Sequence, residues 1–255
     1  MSLLRVANLK LHIGETKVCE DLSFHIDTGQ RWAMLGRNGI GKSTLLHTLA
    51  GLSNHDSGAI QLADENINCL TARQVAQHAG ILFQQQDDAF DNTVLETALI
   101  GRHPYLKSWQ WESGEDHHKA MSALQQLSLT HLTQRTTNTL SGGERQRLAL
   151  ATLLTQNPRL MLLDEPTNHL DIHHQISVLN LFSNWCKEGE RALLMTLHDV
   201  NLALRYCDHA ILLFGDGEVL AGPTEKVLSQ HNLERLYLHP LNKLEGDWGQ
   251  AYLPR

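Results

Sequence analysis

A glycine-rich loop lies between a predicted strand and a predicted helix near the start of the chain: Gly36-Arg37-Asn38-Gly39-Ile40-Gly41-Lys42-Ser43, followed by Thr44. It matches the pattern G-x-x-x-x-G-K-[ST]. The apolar run Arg31 to Leu35 predicts the strand, and leucines at 45, 46 and 49 predict a helix from Lys42 to Leu49 that Gly51 closes. Strand, glycine loop and helix in this order are the context that the pattern requires.

Such a loop is suited to holding phosphate groups. Its glycines let the backbone wrap closely around a polyphosphate, so that successive N–H groups and the positive end of the helix face the anion. The Lys42 amine would neutralise the outer phosphates, and the Ser43 hydroxyl would coordinate Mg²⁺. We therefore call residues 36–43 the phosphate loop.

The rest of the chain alternates strands with helices, which predicts an α/β fold with a largely parallel sheet covered on both faces. The predicted strands are Val6 to Ile13, Leu22 to Ile26, Ile81 to Phe83, Leu160 to Leu163, Ala192 to Thr196 and Ala210 to Phe214. The later predicted helices are Gly143 to about Thr155, one from about Ile172 and one from Asp199. Thr93 to Thr136 is polar and helical in pattern, contains Trp109 and Trp111, and predicts an inserted helical subdomain.

Two adjacent acids end the apolar run Leu160-Met161-Leu162-Leu163-Asp164-Glu165. A buried parallel strand delivers such acids to its carboxyl edge, where sheets of this kind bind ligands. One carboxylate can hold Mg²⁺ and the next can orient and deprotonate an attacking water. Because side chains alternate along a strand, two separate roles are more natural than one shared role.

The segment Leu140-Ser141-Gly142-Gly143-Glu144, here called the signature segment, has two interpretations. Ser141 and Glu144 have the spacing of a capping box, which explains them as the start of a helix. A cap does not require two glycines. Gly142 and Gly143 would expose backbone N–H groups at the positive helix end, which predicts a second site for a phosphate.

Together these segments resemble the nucleotide-binding subunit of an ATP-binding cassette (ABC) transporter over roughly residues 3 to 230. The resemblance also includes Leu170-Asp171 and His198 after the strand that begins at Ala192. It implies a P-loop NTPase (RecA-like) core with an antiparallel β subdomain and an inserted helical signature subdomain. We expect one nucleotide-binding domain over 1–255, with its core at 1–85 and 137–230, the helical subdomain at 86–136 and a C-terminal tail at 231–255.

The resemblance also implies roles for single residues around ATP and Mg²⁺. The phosphate loop and Thr44 would bind the phosphates, and Ser43, Gln84 and Asp164 would bind the metal. Glu165 would be the general base, and His198 would be the switch that contacts the γ-phosphate. Gln84 would also sense Mg²⁺ and the membrane partner, and Asp171 would be the contact between subunits. Gln85 and Gln86 leave a one-residue ambiguity for Gln84. Ser141, Gly142 and Gly143 would close over ATP bound to a second copy of the chain, so that a homodimer would form two complete sites.

One position departs from the family pattern. The family places an aromatic residue before an early glycine to stack on adenine, whereas this chain has His12-Ile13-Gly14. Either His12 or Ile13 would cover the base less well than a tyrosine, so we expect weaker discrimination between bases.

The composition argues against a general nucleic-acid binder and for a packed protein outside the membrane. The chain has 255 residues and a net charge of -7, and no strong cationic bias favours nucleic acid. The N-terminal residues lack a signal-peptide pattern and no apolar run is long enough for a bilayer, so we expect a soluble, cytosolic protein. Cys19, Cys69, Cys186 and Cys207 are widely spaced, which predicts buried free thiols. We interpret the pairs His117-His118 and His173-His174 as solvated helix surface rather than metal ligands.

Three segments resemble the ATPases of importers for ferric siderophores, haem and cobalamin: Thr93 to Glu96, Gly101 to Tyr105 and Leu170 to Gln175. The expected partners are a membrane permease, docked around Gln84 to Arg102, and indirectly an extracytoplasmic binding protein. The expected location is the cytoplasmic face of the inner membrane. Two alternatives stay open: a soluble ABC ATPase that remodels ribosomes or DNA, and the ATPase of an importer for molybdate or a similar oxyanion.

Overall fold

The computed structural model describes residues 1–84, 91–107, 109–246 and 249–255. Its strands are β1 (Ser2–Ile13), β2 (Thr16–Asp27), β3 (Arg31–Gly36), β4 (Ser57–Leu62), β5 (Glu65–Asn66), β6 (Ala79–Leu82), β7 (Leu160–Leu163), β8 (Ala192–Thr196), β9 (His209–Leu213), β10 (Val219–Pro223), β11 (Leu241–Gly246) and β12 (Gly249–Pro254). Its α-helices are α1 (Lys42–Leu49), α2 (Ala72–His78), α3 (Val94–Leu99), α4 (Gly114–Gln126), α5 (Gly142–Gln156), α6 (Ile172–Lys187), α7 (Val200–Tyr206), α8 (Thr224–Val227) and α9 (Gln230–Tyr237).

A six-stranded sheet in the order β10-β9-β3-β8-β7-β6 forms the centre of the fold. Its five strands from β9 to β6 are parallel, and β10 joins the edge antiparallel to β9. A second, antiparallel sheet has the order β2-β1-β4-β5. These two sheets confirm the predicted α/β P-loop core with an antiparallel β subdomain.

The central sheet is buried on both faces, and alternate residues of its strands enter two different cores. In β7, Met161 and Leu163 pack with the helices, whereas Leu160 and Leu162 pack against the antiparallel sheet and α1. The continuous apolar runs seen in the sequence follow from this double burial. Strand positions are therefore held from both sides, and so are the residues that follow them.

The helical region packs on α5 through a close backbone approach and a buried ion pair. A Cβ atom on Gly101 would lie 2.3 Å from the Thr152 carbonyl oxygen, so no larger residue fits. Next to it, Arg102 Nε donates to Asp116 Oδ1 at 2.7 Å, and both side chains are buried. Asp116 also closes the capping box of α4 by accepting from the Ser113 hydroxyl at 2.6 Å.

The stretch Thr93 to Thr136, predicted to be helical, is built from several short helices. It contains α3, a 3₁₀ segment over Ile100–Tyr105 that includes Pro104, and α4. Trp109 and Trp111 lie outside these helices, and both rings are exposed.

Elements without a clear periodicity escaped the sequence analysis: β4, β5, α2, β10 and everything after residue 223. Residues 231–255, expected as a tail, contain most of α9 and the hairpin β11–β12. The hairpin is fastened to α7, where Asn201 donates to the Tyr252 carbonyl at 3.1 Å and accepts from the Tyr252 N–H at 2.8 Å.

The four cysteines are free, and Cys19, Cys186 and Cys207 are buried as predicted. The prediction is wrong for Cys69, which ends a short 3₁₀ turn at the margin of the antiparallel sheet and is exposed. Among the described residues, none of the helices is both long and apolar enough to cross a membrane.

Candidate functional site

Most of the predicted site residues meet at the carboxyl edge of the central sheet. Gly36 ends β3 and opens the phosphate loop, Gln84 follows β6, Asp164 and Glu165 follow β7, and His198 follows β8. A pocket of about 420 Å³ lies at this edge; the residues that line it are Ile13, Asn38, Gly39, Gly41, Lys42, Ser43, Thr44, Gln84, Glu165 and His198. Crevices at this edge are where open parallel sheets bind ligands.

The phosphate loop leaves the start of α1 open. Gly41 stands at the N-cap with φ 102°, and no side chain caps the first turn. A Cβ atom on Gly41 would lie 2.5 Å from the Val18 side chain, so glycine is required by both conformation and space. The first N–H groups of α1 therefore remain available to an anion in the pocket.

Lys42 is buried beside the pocket. Its Nζ donates to the carbonyls of Gly36 and Arg37 at 2.9 and 3.0 Å. Burial lowers the pKa of Lys42, while the nearby charges of Glu165 and Asp164 act in the opposite direction. The loop thus holds this amine in place at the point where phosphate oxygens would arrive.

Asp164 and Glu165 are organised by Thr196, the last residue of β8. The fully buried Thr196 hydroxyl donates to Asp164 Oδ1 at 2.7 Å and accepts from the Glu165 N–H at 2.7 Å. Asp164 Oδ2 is buried and has no hydrogen-bond partner among the described residues. A buried carboxylate oxygen in this condition is suited to a cation, and oxygen ligands are those that Mg²⁺ prefers.

The Glu165 carboxylate is held by three side chains. Its Oε1 lies 2.7 Å from His198 Nε2, and its Oε2 accepts from Gln84 Nε2 at 3.0 Å and from the Asn168 amide. Glu165 adopts φ 49°, a left-handed conformation that costs energy for a non-glycine residue and is typical of functional sites. The structure therefore brings Gln84, Glu165 and His198 into direct contact.

His12 and Ile13, the two residues considered for the contact with adenine, lie in different surroundings. Ile13 lines the pocket, whereas His12 is held by Glu20, with Nε2 3.0 Å from Oε1, and by Asp56, with Nδ1 3.4 Å from Oδ2. Hydrogen bonds from Lys10 and then His12 lower the pKa of Glu20 to about 2. Ile13 is thus the one of the two that lines the pocket, and His12 belongs to a neighbouring ionic cluster.

The signature segment and Asp171 lie outside this pocket. Ser141 caps α5, since its hydroxyl accepts from the Glu144 N–H at 3.3 Å and donates to Glu144 Oε2 at 2.8 Å. Ser141 and Gly142 are exposed, Leu140 is buried, and a Cβ atom on Gly143 would lie 3.1 Å from the His169 carbonyl oxygen. Packing against His169 therefore accounts for part of the need for glycine that the sequence analysis assigned to a phosphate.

Asp171 caps α6 and contacts His174, one of the pair predicted to lie on the solvated helix surface. It accepts from the His174 N–H at 2.8 Å, and its Oδ1 lies 2.9 Å from His174 Nδ1. These bonds, the backbone one first, lower the pKa of Asp171. His174 Nε2 in turn lies 3.0 Å from Arg147 Nη1, so that His174 belongs to a connected polar network.

Two residues of the site were missed from the sequence. Thr196 organises both acids, and a polar residue at the end of an apolar strand that precedes His198 was the available signal. Asn168 contacts Glu165 from three residues further along the chain, and its only signal was this short spacing.

The fold and the site define a P-loop ATPase. The ABC transporter family matches residues 19–168, more than half of the chain, and the chain belongs to the ABC transporter family. The ferric enterobactin transport ATP-binding protein of Escherichia coli (strain K12) is 39% identical over 92% of this chain and 86% of its own length. The hemin import ATP-binding protein of Rhodococcus jostii (strain RHA1) is 35% identical over 95% of this chain and 82% of its own length.

Solved structures agree with this assignment. An inward-facing structure described as a metal-chelate type ABC transporter has a chain that is 29% identical, with a TM-score of 0.87 over 100% of this chain and 98% of that one. A dimeric ATP-binding cassette bound to ADP and phosphate is 26% identical, with a TM-score of 0.75 over 86% of this chain and 98% of that one. The family, the fold class and the ATPase activity predicted from the sequence are confirmed.

Proposed function

We propose that this chain hydrolyses ATP to energise import of an iron chelate, or of haem or cobalamin, through a separate membrane permease. The observation that carries the proposal is the 39% identity, over nearly the whole chain, with an ATP-binding protein of ferric enterobactin transport. The hemin import relative supports the same substrate range. An iron chelate is the first choice because the metal-chelate type transporter also matches the full chain.

At the site, Glu165 acts as the general base for the water that attacks the γ-phosphate. His198 and Gln84 support this role, because they hold the two oxygens of the Glu165 carboxylate in one orientation. The Lys42 amine and the open start of α1 bind the phosphates. Ser43 and the remaining loop residues complete the phosphate cradle.

Mg²⁺ would be held by Ser43, Gln84 and Asp164. The buried Asp164 Oδ2, without a hydrogen-bond partner among the described residues, supports this assignment. A bound Mg²⁺ supplies positive charge beside the outer phosphates. The Thr196 hydroxyl keeps the Asp164 carboxylate oriented with its other oxygen.

A second copy of the chain completes each site. Ser141, Gly142, Gly143 and Asp171 lie outside the pocket that contains Lys42, and Ser141, Gly142 and Asp171 are exposed. In a head-to-tail dimer these residues close over the ATP of the other subunit. The dimeric cassette with ADP and phosphate supports such an assembly.

The chain works at the cytoplasmic face of the inner membrane, bound to a permease that receives substrate from an extracytoplasmic binding protein. We place the permease contact around Gln84 to Arg102. Residues 85–90 of that stretch, which include Gln85, Gln86, Ala89 and Phe90, lie outside the described residues. The support from the described part is the bond between Gln84 and Glu165, which links this surface to the catalytic base.

The test measures uptake and assembly in the same cells. With the gene deleted from its host, uptake of a ferric siderophore, haemin, cobalamin and molybdate is measured before and after return of the wild-type gene. The matched control is Glu165→Gln, which keeps the shape of the side chain but removes the base. We expect the wild type to restore uptake of an iron chelate and to copurify with a membrane protein after crosslinking, whereas Glu165→Gln copurifies without restoring uptake.

Other outcomes would replace the proposal. Restored uptake of molybdate alone would identify an oxyanion importer. Copurification with ribosomes or DNA, with no membrane protein captured by the wild type, would favour the remodelling ATPase.

A further inference from the structure

Two side chains, Arg147 on α5 and His174 on α6, join the helix of the signature segment to the helix that Asp171 begins. Arg147 Nη1 lies 3.0 Å from His174 Nε2, and His174 Nδ1 lies 2.9 and 3.0 Å from the two oxygens of Asp171. The Arg147 guanidinium, the His174 imidazole and the Asp171 carboxylate thus form a continuous chain of hydrogen bonds between the first turns of the two helices.

The direction of these hydrogen bonds follows from the chemistry of the groups. A guanidinium has only donors, so His174 Nε2 must accept from Arg147. The proton of the neutral imidazole then lies on Nδ1 and is donated to Asp171. In this tautomer His174 satisfies both neighbours at once.

Helix capping alone does not account for the imidazole. The cap of α6 needs only the His174 backbone N–H, which donates to Asp171 Oδ1 at 2.8 Å. The imidazole adds a second hold on the same carboxylate and restricts its rotation. Arg147 is itself positioned, because it donates to the carbonyls of Leu127 at 3.3 Å and Gly143 at 3.4 Å.

A second link runs parallel to this one. Gln146, the neighbour of Arg147, donates through Nε2 to the Pro166 carbonyl at 3.1 Å and to the Glu165 carbonyl at 3.4 Å. The start of α5 is therefore tied both to the residue after the catalytic base and to Asp171. These contacts lie within one subunit.

We propose that Arg147 and His174 are positioning residues that hold Asp171 and the signature segment as one surface for the nucleotide of the second subunit. The inference rests on the head-to-tail dimer of the proposed function. Its consequence is specific: loss of the bridge in one subunit impairs hydrolysis of the ATP held by the other subunit, and leaves the ATP on its own phosphate loop unaffected.

The test compares two heterodimers that contain the same two substitutions. In the separated arrangement, one subunit carries Lys42→Ala and the other carries His174→Ala. The only working phosphate loop then faces an unaltered bridge. In the combined arrangement, one subunit carries both substitutions and the other is wild type, so that the only working phosphate loop faces the altered bridge. Two different affinity tags isolate each heterodimer of the full-length chain.

We expect the separated heterodimer to hydrolyse ATP at about half the rate of the wild-type dimer, since it has one of two sites. The combined heterodimer should be at least fivefold slower than the separated one, mainly through kcat. A merely structural role for His174 would slow both equally, because each contains one copy of each substitution. Equal rates in the two arrangements would therefore overturn the proposal.

Controls separate this inference from the dimer on which it rests. His173→Ala, the adjacent histidine on α6, should give equal rates in both arrangements. Ser141→Arg, tested in the same pair, should distinguish them strongly. If Ser141→Arg fails to do so, the head-to-tail dimer is wrong; if it succeeds while His174→Ala does not, only the positioning role fails. Arg147→Met combined with His174→Ala should slow hydrolysis no further than His174→Ala alone, because both remove one bridge.

Discussion

The phosphate loop and the signature segment both present the start of a helix, but they satisfy its N–H groups in opposite ways. The start of α1 follows Gly41, has no side-chain cap and lies beside the buried Lys42. The start of α5 is closed by the reciprocal bonds of Ser141 and Glu144 and is exposed. The first is held by long-range packing and open to a ligand, whereas the second is stabilised locally.

In the proposed dimer, this difference would let the two helix starts serve sites in different subunits. The uncapped start of α1 lines the pocket and leaves its N–H groups available to an anion, whereas the capped start of α5 is stable without a ligand. The residues predicted to be catalytic gather beside the start of α1, at the ends of β6, β7 and β8.

The largest effect is expected on the phosphate-loop side. Glu165→Gln should lower kcat by roughly 10²- to 10⁴-fold, because it removes the general base while keeping shape and most hydrogen bonding. ATP binding should remain, and size-exclusion chromatography with ATP should show a trapped dimer. Hydrolysis at close to the wild-type rate would exclude Glu165 as the base.

On the signature side, Ser141→Arg should block hydrolysis although Ser141 lies outside the pocket around Lys42. The added side chain fills the space where the γ-phosphate of the other subunit must enter. Mixing it with Lys42→Ala should recover activity, because the heterodimer has one site with both lesions and one with neither. If isolated heterodimers showed no recovery, assembly of the site across subunits would be contradicted.

The next largest effect is expected on the stability of the helical region. Asp116→Asn should lower the free energy of unfolding by about 3 to 5 kcal/mol, because it leaves the buried Arg102 without its charged partner. The matched control is Glu115→Gln, one residue away, whose pair with Lys119 is exposed and should contribute far less. Urea denaturation measures both; equal effects would contradict the buried pair's role.

The same pair sets a pH dependence. Hydrogen bonds from Ser113 first, and then from Arg102, hold the pKa of Asp116 well below its usual range. A carboxylate with a depressed folded pKa contributes its full stability above the unfolded pKa of about 3.9 and loses it as the pH falls toward the folded value. The difference between wild type and Asp116→Asn should therefore be constant near neutral pH and should shrink below about pH 4.

The smallest effect concerns the contact with the adenine base of the nucleotide. With Ile13 beside the pocket and no aromatic ring at this position, the affinity ratio of ATP to GTP should stay below about 100, or roughly 2.7 kcal/mol. Ile13→Tyr should tighten ATP by roughly two- to tenfold, the range of a stacking contact of about 0.5 to 1.5 kcal/mol. Titration with both nucleotides measures this, and an unchanged affinity would move the base contact to another residue.

Sequence analysis succeeded where local pattern and physical need coincide. The phosphate loop, the apolar strand before Asp164 and the capping box of Ser141 each fall within a few consecutive residues. It failed where a contact joins distant segments. Thr196 lies 32 residues from Asp164, and the same kind of separation hid the pair of Arg147 with His174. The short edge strands and the C-terminal hairpin had too few alternating residues to register as elements.

Glycine spacing and apolar periodicity, which are properties of neighbouring residues, were enough to predict the P-loop fold, the family and the residues expected around the phosphates. Only the tertiary structure decided that Ile13 rather than His12 faces the pocket, and that Gln84, Asn168 and His198 converge on Glu165. It also decided that the half-exposed His174 is bonded at both ring nitrogens. The physical reason is that the direction of a side chain depends on the packing of segments far apart in the chain, which no local spacing encodes.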